Sequence, residues 1–316
     1  MYDIAALGEV LIDFACVSQD EKGYPTMTAN PGGAPANFLS TLSKYGAKTA
    51  FLGKVGNDTF GRLLLQTLAE NGVDTRGVLV DDTVFTTLAF VTFDAAGDRT
   101  FAFARKPGAD TQIRFEELDL SVIDDARAFH FGTLSLTDEP ARSATYQAVA
   151  YAAAHKKLVT FDPNLRPPLW NDLQEAKRQM EWGLMQSDIV KISDEEVDFL
   201  WGISPKEGAE KLLRDCGVQL AFVTCGADGC VYKNHRAFGK MPALSDISVI
   251  DTTGAGDIFG GSAIGRILQS GKAPADLTDS ELREIVRFAT VAAGLSTTRL
   301  GGISAIPNYE EVLAKL

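Results

Sequence analysis

Short apolar runs alternate with longer amphipathic segments after residue 112, and this alternation constrains the fold more than any other feature of the sequence. The apolar runs predict strands at 128–131, 159–161, 189–192 and 221–224. The segments between them predict helices at 140–155, 173–182 and 206–216. Strands that alternate with helices form a mainly parallel sheet covered on both faces. The sequence therefore predicts an α/β fold, a three-layer α/β/α sandwich.

The amino-terminal part of the chain adds strands to this sheet and interrupts it twice. Residues 4–10 and 50–55 have the apolar pattern of buried strands, whereas 14–30 and 84–110 are mixed in character. We expect the two interruptions to form a small β-sheet lid on a single domain spanning 1–316.

The second interruption has the alternation of a β-hairpin. Leu88 and Phe90 precede a turn at 94–98, and Phe101 and Phe103 follow it. We expect these side chains to form one apolar face, which covers a substrate or meets the lid of a second copy in a two-fold dimer. An ordinary surface hairpin is the alternative.

The amino-acid composition indicates which kinds of binding partner and which cellular compartment to expect. The 316 residues carry 30 Lys and Arg against 42 Asp and Glu, and a net charge of −12 argues against nucleic acid or an anionic membrane surface as a partner. The sequence has no apolar run long enough for a membrane span and begins as a strand, so we expect no leader. The four cysteines lack paired spacing, which favours a reducing cytoplasm over zinc or disulfides.

The stretch DTTGAGD at 251–257 leads directly into a helical pattern and predicts an anion site. Gly254, Ala255 and Gly256 form a loop whose backbone N–H groups, together with the helix N-terminus, can hold a phosphoryl group. Asp257 lies in the first helical turn, where it can take the proton of an attacking hydroxyl. A glycine-rich turn with an acidic helix cap is the alternative.

Other polar residues are predicted to gather at the same edge of the sheet. A second glycine loop contains Gly32 and Gly33 and leads into a helix with Asn37. Ligands of open α/β sheets bind at the carboxyl ends of the strands. Residues that lie at or just after the ends of predicted strands are Asp162, Asn164, Arg166, Ser193, Glu196, Thr224 and Gly226. The hairpin ends in Arg105, which either meets a phosphate or sugar oxygen or is a solvated edge-strand cation.

With these residues identified, the chain resembles the ribokinase-like carbohydrate kinases of the phosphofructokinase B family. PGGAPANF at 31–38 and DTTGAGDIF at 251–259 are similar to the two signatures of that family. Further stretches are similar to its fructokinase branch: GEVLIDF at 8–14, FLGKVGNDTFG at 51–61, NGVDTRGV at 71–78, DPNLRPPLW at 162–170 and KISDEE at 191–196. The resemblance covers nearly the whole chain.

The resemblance implies transfer of the ATP γ-phosphoryl group to the 6-hydroxyl of D-fructose, with Asp257 as the base. It places the residues of the sugar site at Asp13, Gly32, Gly33, Asn37, Arg105, Asp162 and Arg166. The nucleotide would lie along Ser193, Thr224, Gly226, Gly254 and Gly256, with a helix at 285–294 beside the adenine.

The resemblance also implies metal ions. Glu196 would act on Mg²⁺ through water, although Ser193 replaces the asparagine of the family motif. A K⁺ site would use Asp251 and Thr253 with carbonyls near Ser296, Arg299 and Gly301, and Ala305 replaces a serine that is sometimes found there. The anion loop has no Walker-A lysine, so Mg²⁺, the loop amides and Arg166 would neutralise the phosphates.

Several alternatives stay open from the sequence. Ribokinase, 2-keto-3-deoxygluconate kinase and nucleoside kinase are rivals within the family. A non-catalytic sugar-sensing relative should have lost Asp257 or the loop glycines, and both are present. A nicotinamide-dependent oxidoreductase would need a full G-x-G-x-x-G turn after the first strand, where Gly8 stands alone.

Overall fold

The computed structural model describes residues 1–93 and 99–316, and the turn predicted at 94–98 lies outside the described residues. A nine-stranded sheet and a four-stranded sheet form in this part of the chain. Strands of the large sheet are β1 (Tyr2–Leu7), β4 (Thr49–Gly56), β5 (Val73–Asp81), β8 (Ala126–Gly132), β9 (Leu158–Asp162), β10 (Ile189–Ser193), β11 (Leu220–Thr224), β12 (Cys230–Asn234) and β13 (Phe238–Met241). Strands of the small sheet are β2 (Leu11–Gln19), β3 (Pro25–Gly32), β6 (Leu88–Phe93) and β7 (Arg99–Ala104).

The large sheet is parallel except at one edge. Its order is β13-β12-β11-β10-β9-β8-β1-β4-β5, and β12 and β13 are its antiparallel strands. The first strand is internal: the chain moves from β1 to β4 and β5 on one side, and later to β8 on the other. The ligand crevice of an open α/β sheet lies at such a point of reversal, outside the carboxyl ends of the strands.

Helices cover both faces of the large sheet, and the predicted three-layer α/β fold is confirmed. Their bounds are α1 (Ala34–Lys44), α2 (Thr59–Glu70), α3 (Ser121–Asp124), α4 (Ala141–Ala154), α5 (Leu173–Met185), α6 (Asp194–Trp201), α7 (Pro205–Asp215), α8 (Ala255–Ser270), α9 (Asp279–Ser296) and α10 (Tyr309–Leu313). Alternate residues of β1 enter different cores. Ile4 belongs to the core that includes residues of α1, α8 and α9, whereas its neighbour Ala5 belongs to the core that includes residues of α4, α5 and α7. None of the helices in the described ranges is long and apolar enough to cross a membrane.

Local signals position the elements around the crevice. The Asp58 side chain caps α2 by accepting hydrogen bonds from the N–H groups of Phe60 and Gly61. The first strand ends at Leu7, so the predicted strand through Val10 is too long. The next strand begins at Leu11, which means that residues 8–10 carry the chain from the large sheet to the small one.

The small β-sheet is present, but its two faces differ from the prediction. Phe90 pairs across the hairpin with Ala102, while Ala89 pairs with Phe103, so Phe90 and Phe103 project from opposite faces. Phe90 stacks on Phe14, with ring centroids 5.3 Å apart, and Phe14 in turn contacts α2. Phe103 instead lines the main cavity. The single apolar face expected to contain both rings is therefore wrong.

Candidate active site

Asp257 is buried in the first turn of α8, as predicted. The helix begins after Gly254, which has a φ of 74° and so occupies the left-handed region that suits glycine. The Asp257 side chain is 8% exposed. Burial raises the pKa of its carboxyl group, whereas the hydrogen bond from Asn37 and the charges of Lys191 and Arg166 lower it. Asp257 is thus a buried carboxyl group with two cations nearby, and the charge of Glu196 adds to the rise in its pKa.

Two amide side chains hold the Asp257 carboxylate. Asn37 Nδ2 donates to Oδ2 over 2.8 Å, and Asn164 Nδ2 donates to Oδ1 over 3.1 Å. Asn37 comes from α1, after the second glycine loop, and Asn164 follows β9 with a φ of 46°. Because each oxygen has its own donor, the carboxylate is fixed in one orientation. The role of Asn164 was missed, although its place after a strand was a signal.

Half of the predicted site residues meet at one cavity of about 370 Å³. It lies between the carboxyl edge of the large sheet and the small sheet. The predicted residues that line it are Asp13, Gly33, Asn37, Arg166, Asp251, Thr253, Gly254, Gly256, Asp257 and Gly301. On its small-sheet side, Asp13 has its pKa raised by burial to about 6, while Arg166 opposes that rise. Segments far apart in the sequence thus meet at one cavity beside the glycine loop of Gly254 and Gly256.

Arg105 does not reach this cavity. Its side chain is 2% exposed and forms an ion pair with Asp110, its Nη2 lying 2.7 Å from Oδ2. Its remaining donors reach Thr137 Oγ1 and the Leu134 carbonyl, over 2.7 and 2.8 Å. The guanidinium therefore connects the end of β7, in the small sheet, to the segment that follows β8, in the large sheet.

Other predicted residues lie around the cavity without lining it. An added Cβ at Gly32 would lie 2.4 Å from Asp13 Oδ2, so this glycine makes room for the Asp13 carboxylate. Asp162 borders a much smaller chamber behind the cavity, which Asn164 and Asp257 also line. The cavity lining does not include Ala255, Ser193, Glu196, Thr224, Gly226, Ser296 or Arg299.

The predicted nucleotide and magnesium residues lie at or just after the carboxyl ends of the adjacent strands β10 and β11. Ser193 and Thr224 are register partners at the carboxyl ends of these strands. Glu196 and Ser193 form a capping box at the start of α6, and Glu196 Oε1 also accepts from the N–H of Leu165 over 2.7 Å. No cluster of three or more His, Cys, Asp or Glu side chains suited to a metal is found within 1–93 and 99–316.

The predicted monovalent-cation segments are close to one another. Asp251 Oδ2 accepts from the N–H of Gly301 over 2.9 Å, and Asp251 Oδ1 accepts from both the N–H and the hydroxyl of Thr253. The Ser296 carbonyl accepts from the N–H of Arg299 over 3.1 Å. The anion loop is thereby tied to the chain that follows α9.

Two ionisable residues at the cavity, the buried Glu9 and the largely buried Lys191, were missed in the sequence. Glu9 follows β1, accepts from the N–H of Ala34 over 2.8 Å, and has its pKa raised by burial to about 7. Lys191 lies in β10 and pairs with Asp162 over 3.0 Å. The signal was available in both cases, since an ionisable residue in or beside a buried strand needs a reason to be there.

The chain is similar to known proteins over nearly its whole length. A family model described as pfkB family carbohydrate kinase matches residues 1–308. Fructokinase-1 of Zea mays is 41% identical over 317 residues, covering 98% of this chain and 96% of that protein. A fructokinase structure from Xylella fastidiosa with bound ATP has a TM-score of 0.90 and 32% identity, covering 99% of this chain and 98% of the other. A double-mutant fructokinase from Vibrio cholerae O395, bound to fructose, ADP and a potassium ion, has a TM-score of 0.87 and 30% identity, covering 100% and 98%.

Proposed function

Because the chain belongs to the pfkB family of carbohydrate kinases and is an ATP-dependent enzyme of that class, we propose that it phosphorylates D-fructose at its 6-hydroxyl. The observation that carries the proposal is the Asp257 carboxylate, held by two amides in the first turn of α8 beside the glycine loop. The choice of fructose is supported by the fructokinases of Zea mays and Vibrio cholerae, the second of which was solved with fructose.

Asp257 acts as the general base. It takes the proton of the 6-hydroxyl as that oxygen attacks the γ-phosphorus, and ADP leaves with the electrons of the broken bond. Asn37 and Asn164 aim the carboxylate and favour its ionised form. The burial that raises the pKa of Asp257 also makes it a stronger base than an exposed aspartate.

The amino terminus of α8 provides the anion hole. Backbone N–H groups in a first helical turn have no partner within the helix, and they carry the positive end of the helix dipole. The Ala255 N–H already donates to the Thr252 carbonyl over 3.3 Å. The N–H groups of Gly256 and Asp257 are therefore the main donors to the transferring phosphoryl group.

The donor sets fit the two expected metal ions. Magnesium commonly binds through one or two carboxylates, substrate phosphates and several waters, so the single carboxylate of Glu196 suits a water-mediated contact. When bound, Mg²⁺ neutralises charge on the phosphates. Asp251, Thr253 and the carbonyls near Ser296, Arg299 and Gly301 would hold K⁺, and oxygen-rich surroundings suit that ion.

The small sheet acts as a lid over the sugar. Leu11, Asp13, Val91 and Phe103 line the cavity from this side, so one of its faces already meets the substrate space. Exclusion of water there favours transfer to sugar over hydrolysis of ATP.

We also propose that the protein forms a homodimer through the lid, which would cover the exposed Val17. Light scattering on Val17→Asp tests this dimer, and we expect the variant to lose it. The cytoplasmic location stays a prediction.

A substrate panel tests the proposed function. ADP release is measured with fructose, ribose, adenosine, glucose, mannose and 2-keto-3-deoxygluconate, each at several concentrations, and the phosphorylated position is assigned by ³¹P NMR. We expect fructose to have the highest kcat/KM and fructose 6-phosphate to be the product. If ribose or 2-keto-3-deoxygluconate has a higher kcat/KM than fructose, the assignment of fructose as the substrate is wrong.

A further inference from the structure

Lys191 is a largely buried lysine that the mechanism above does not use. It lies in β10, where its neighbours Val190 and Ile192 are fully buried, and its own side chain is 12% exposed. An apolar residue would pack at this position without the cost of removing an ammonium group from water. Lys191 therefore has a role that its charge serves.

The ammonium group lies against the anion loop. An added Cβ at Gly256 would be 2.8 Å from Lys191 Nζ, so the absence of a side chain at Gly256 leaves the space that the lysine occupies. Lys191 also lines the main cavity together with Asp257. Asp162 Oδ2, 3.0 Å from Nζ, holds the ammonium in this position.

Lys191 remains charged despite its burial. Burial alone would lower its pKa, but the nearby carboxylates of Asp162, Glu196 and Asp257 raise it above the ordinary lysine value. The ammonium is therefore protonated at neutral pH.

The cavity has few positive groups with which to receive a triphosphate. Among the described residues that line it, Lys191 and Arg166 are the cations, against the acids Glu9, Asp13, Asp251 and Asp257. The protein as a whole carries a net charge of −12, and the glycine loop has no lysine of its own. A compact ammonium is a common phosphate ligand in nucleotide sites.

We propose that Lys191 binds the oxygens of the transferring γ-phosphoryl group, with Asp162 as the residue that positions it. The proposal rests on the proposed phosphoryl transfer. In that step the hydroxyl oxygen bonds to the γ-phosphorus, the bond to the bridging oxygen breaks, and the hydroxyl proton passes to Asp257. Lys191 keeps its proton throughout and stabilises the charge on the oxygens of the moving group.

The competing role is structural: Lys191 would do no more than neutralise the buried Asp162 carboxylate. The two roles predict different effects of Lys191 on the affinities for ATP and for ADP. A γ-phosphoryl contact exists with a triphosphate and is absent with ADP, whereas neutralisation of Asp162 affects both nucleotides alike. Comparing the affinities for the two nucleotides therefore separates a phosphate contact from a structural ion pair.

The experiment compares Lys191→Met with Lys191→Arg and with a control, Lys54→Met. Lys54 is a matched buried lysine, 5% exposed and 2.7 Å from Glu117 Oε2, and it does not line the cavity. Calorimetry in Mg²⁺ buffer gives the Kd of ADP and of the β,γ-imido analogue of ATP, and steady-state assays give kcat and the KM for sugar.

For Lys191→Met we expect the analogue to bind at least about 10-fold more weakly, the Kd of ADP to change by less than about 2-fold, and kcat to fall by about 100-fold or more. Lys191→Arg should recover part of the preference for the triphosphate. Lys54→Met should lower the unfolding temperature and keep the wild-type ratio of the two affinities.

A Lys191→Met protein that keeps the wild-type affinity ratio, or loses affinity equally for both nucleotides, assigns the lysine a structural role and overturns the proposal, whatever its kcat. A wild-type protein that transfers phosphate to no sugar refutes the proposed function instead. The two failures are distinguishable because the binding measurements need no sugar.

Discussion

Replacement of Asn37 by leucine should change the pH dependence of turnover in a defined direction. The substitution removes the 2.8 Å hydrogen bond from Nδ2 to Asp257 Oδ2 at nearly constant side-chain size. Asn37 Oδ1 has no hydrogen-bond partner within the described chain, so the leucine removes no second bond from that atom. The change therefore acts mainly on the ionisation of Asp257.

The sign follows from the role of the base. Asp257 must be ionised to accept a proton, so kcat falls as the pH drops through its pKa. Asn37 lowers that pKa against the effect of burial, and its removal raises the pKa further. A hydrogen bond to a charged group contributes about 1.5–3 kcal/mol, which corresponds to roughly 10- to 100-fold in the ionisation equilibrium.

The assay is kcat at saturating sugar and ATP across the pH range in which the wild type is stable. On the acid limb we expect Asn37→Leu to be slower than wild type by about 10- to 100-fold, with recovery toward high pH. Thr41→Val, one turn along α1, removes another buried polar group without touching Asp257, and its acid limb should match that of the wild type. An acid limb that stays in place in Asn37→Leu, or moves to lower pH, would refute the reasoning.

Three further predictions concern the cation site, the small sheet and Arg105. We expect kcat in potassium to exceed kcat in tetramethylammonium at equal ionic strength by at least about 10-fold, because an ion at Asp251 would preorganise the loop amides, and equal rates would argue against the site. Phe103→Ser should raise the ratio of ATP hydrolysis to sugar phosphorylation, whereas Phe90→Ser should leave that ratio near wild type, and the reverse pattern would contradict the assignment of the lid faces. Arg105→Leu should lower the free energy of unfolding in urea by about 3–5 kcal/mol by leaving the charge of Asp110 buried without its partner; unchanged stability with weakened sugar binding would instead place Arg105 at the substrate.

The strands of the large sheet that have a local sequence pattern could be predicted. The pairing of strands that are distant in the sequence could not. The runs that became β8 to β11 are apolar and separated by helical periodicity, so both their type and their parallel arrangement follow from the sequence. The small sheet depends instead on β2 pairing in parallel with β6, a contact between distant segments that no local pattern encodes. The same applies to the antiparallel edge formed by β12 and β13, which was not predicted.

The same distinction applies to the candidate site: residues placed by local sequence could be predicted, and those placed by long-range contacts could not. The position of Asp257 is a property of one loop and one helix start, and it was predicted correctly. The significance of Lys191 depends on Gly256 lying against it, and that approach exists only in the folded chain. Arg105 was expected to reach the substrate, but Asp110, five residues later, binds its guanidinium inside the protein. Arg105 was predicted to be a cation at the substrate, but in the structure it forms a buried ion pair with Asp110.

The most direct test of the central claim is the turnover of Asp257→Asn, which keeps the size of the side chain and removes its basicity. Turnover should be measured with fructose and ATP at saturation, alongside the affinity for fructose by calorimetry. We expect kcat to fall at least about 100-fold, the scale of a positioned general base, while the affinity for fructose changes far less. Wild-type turnover in Asp257→Asn would contradict the account.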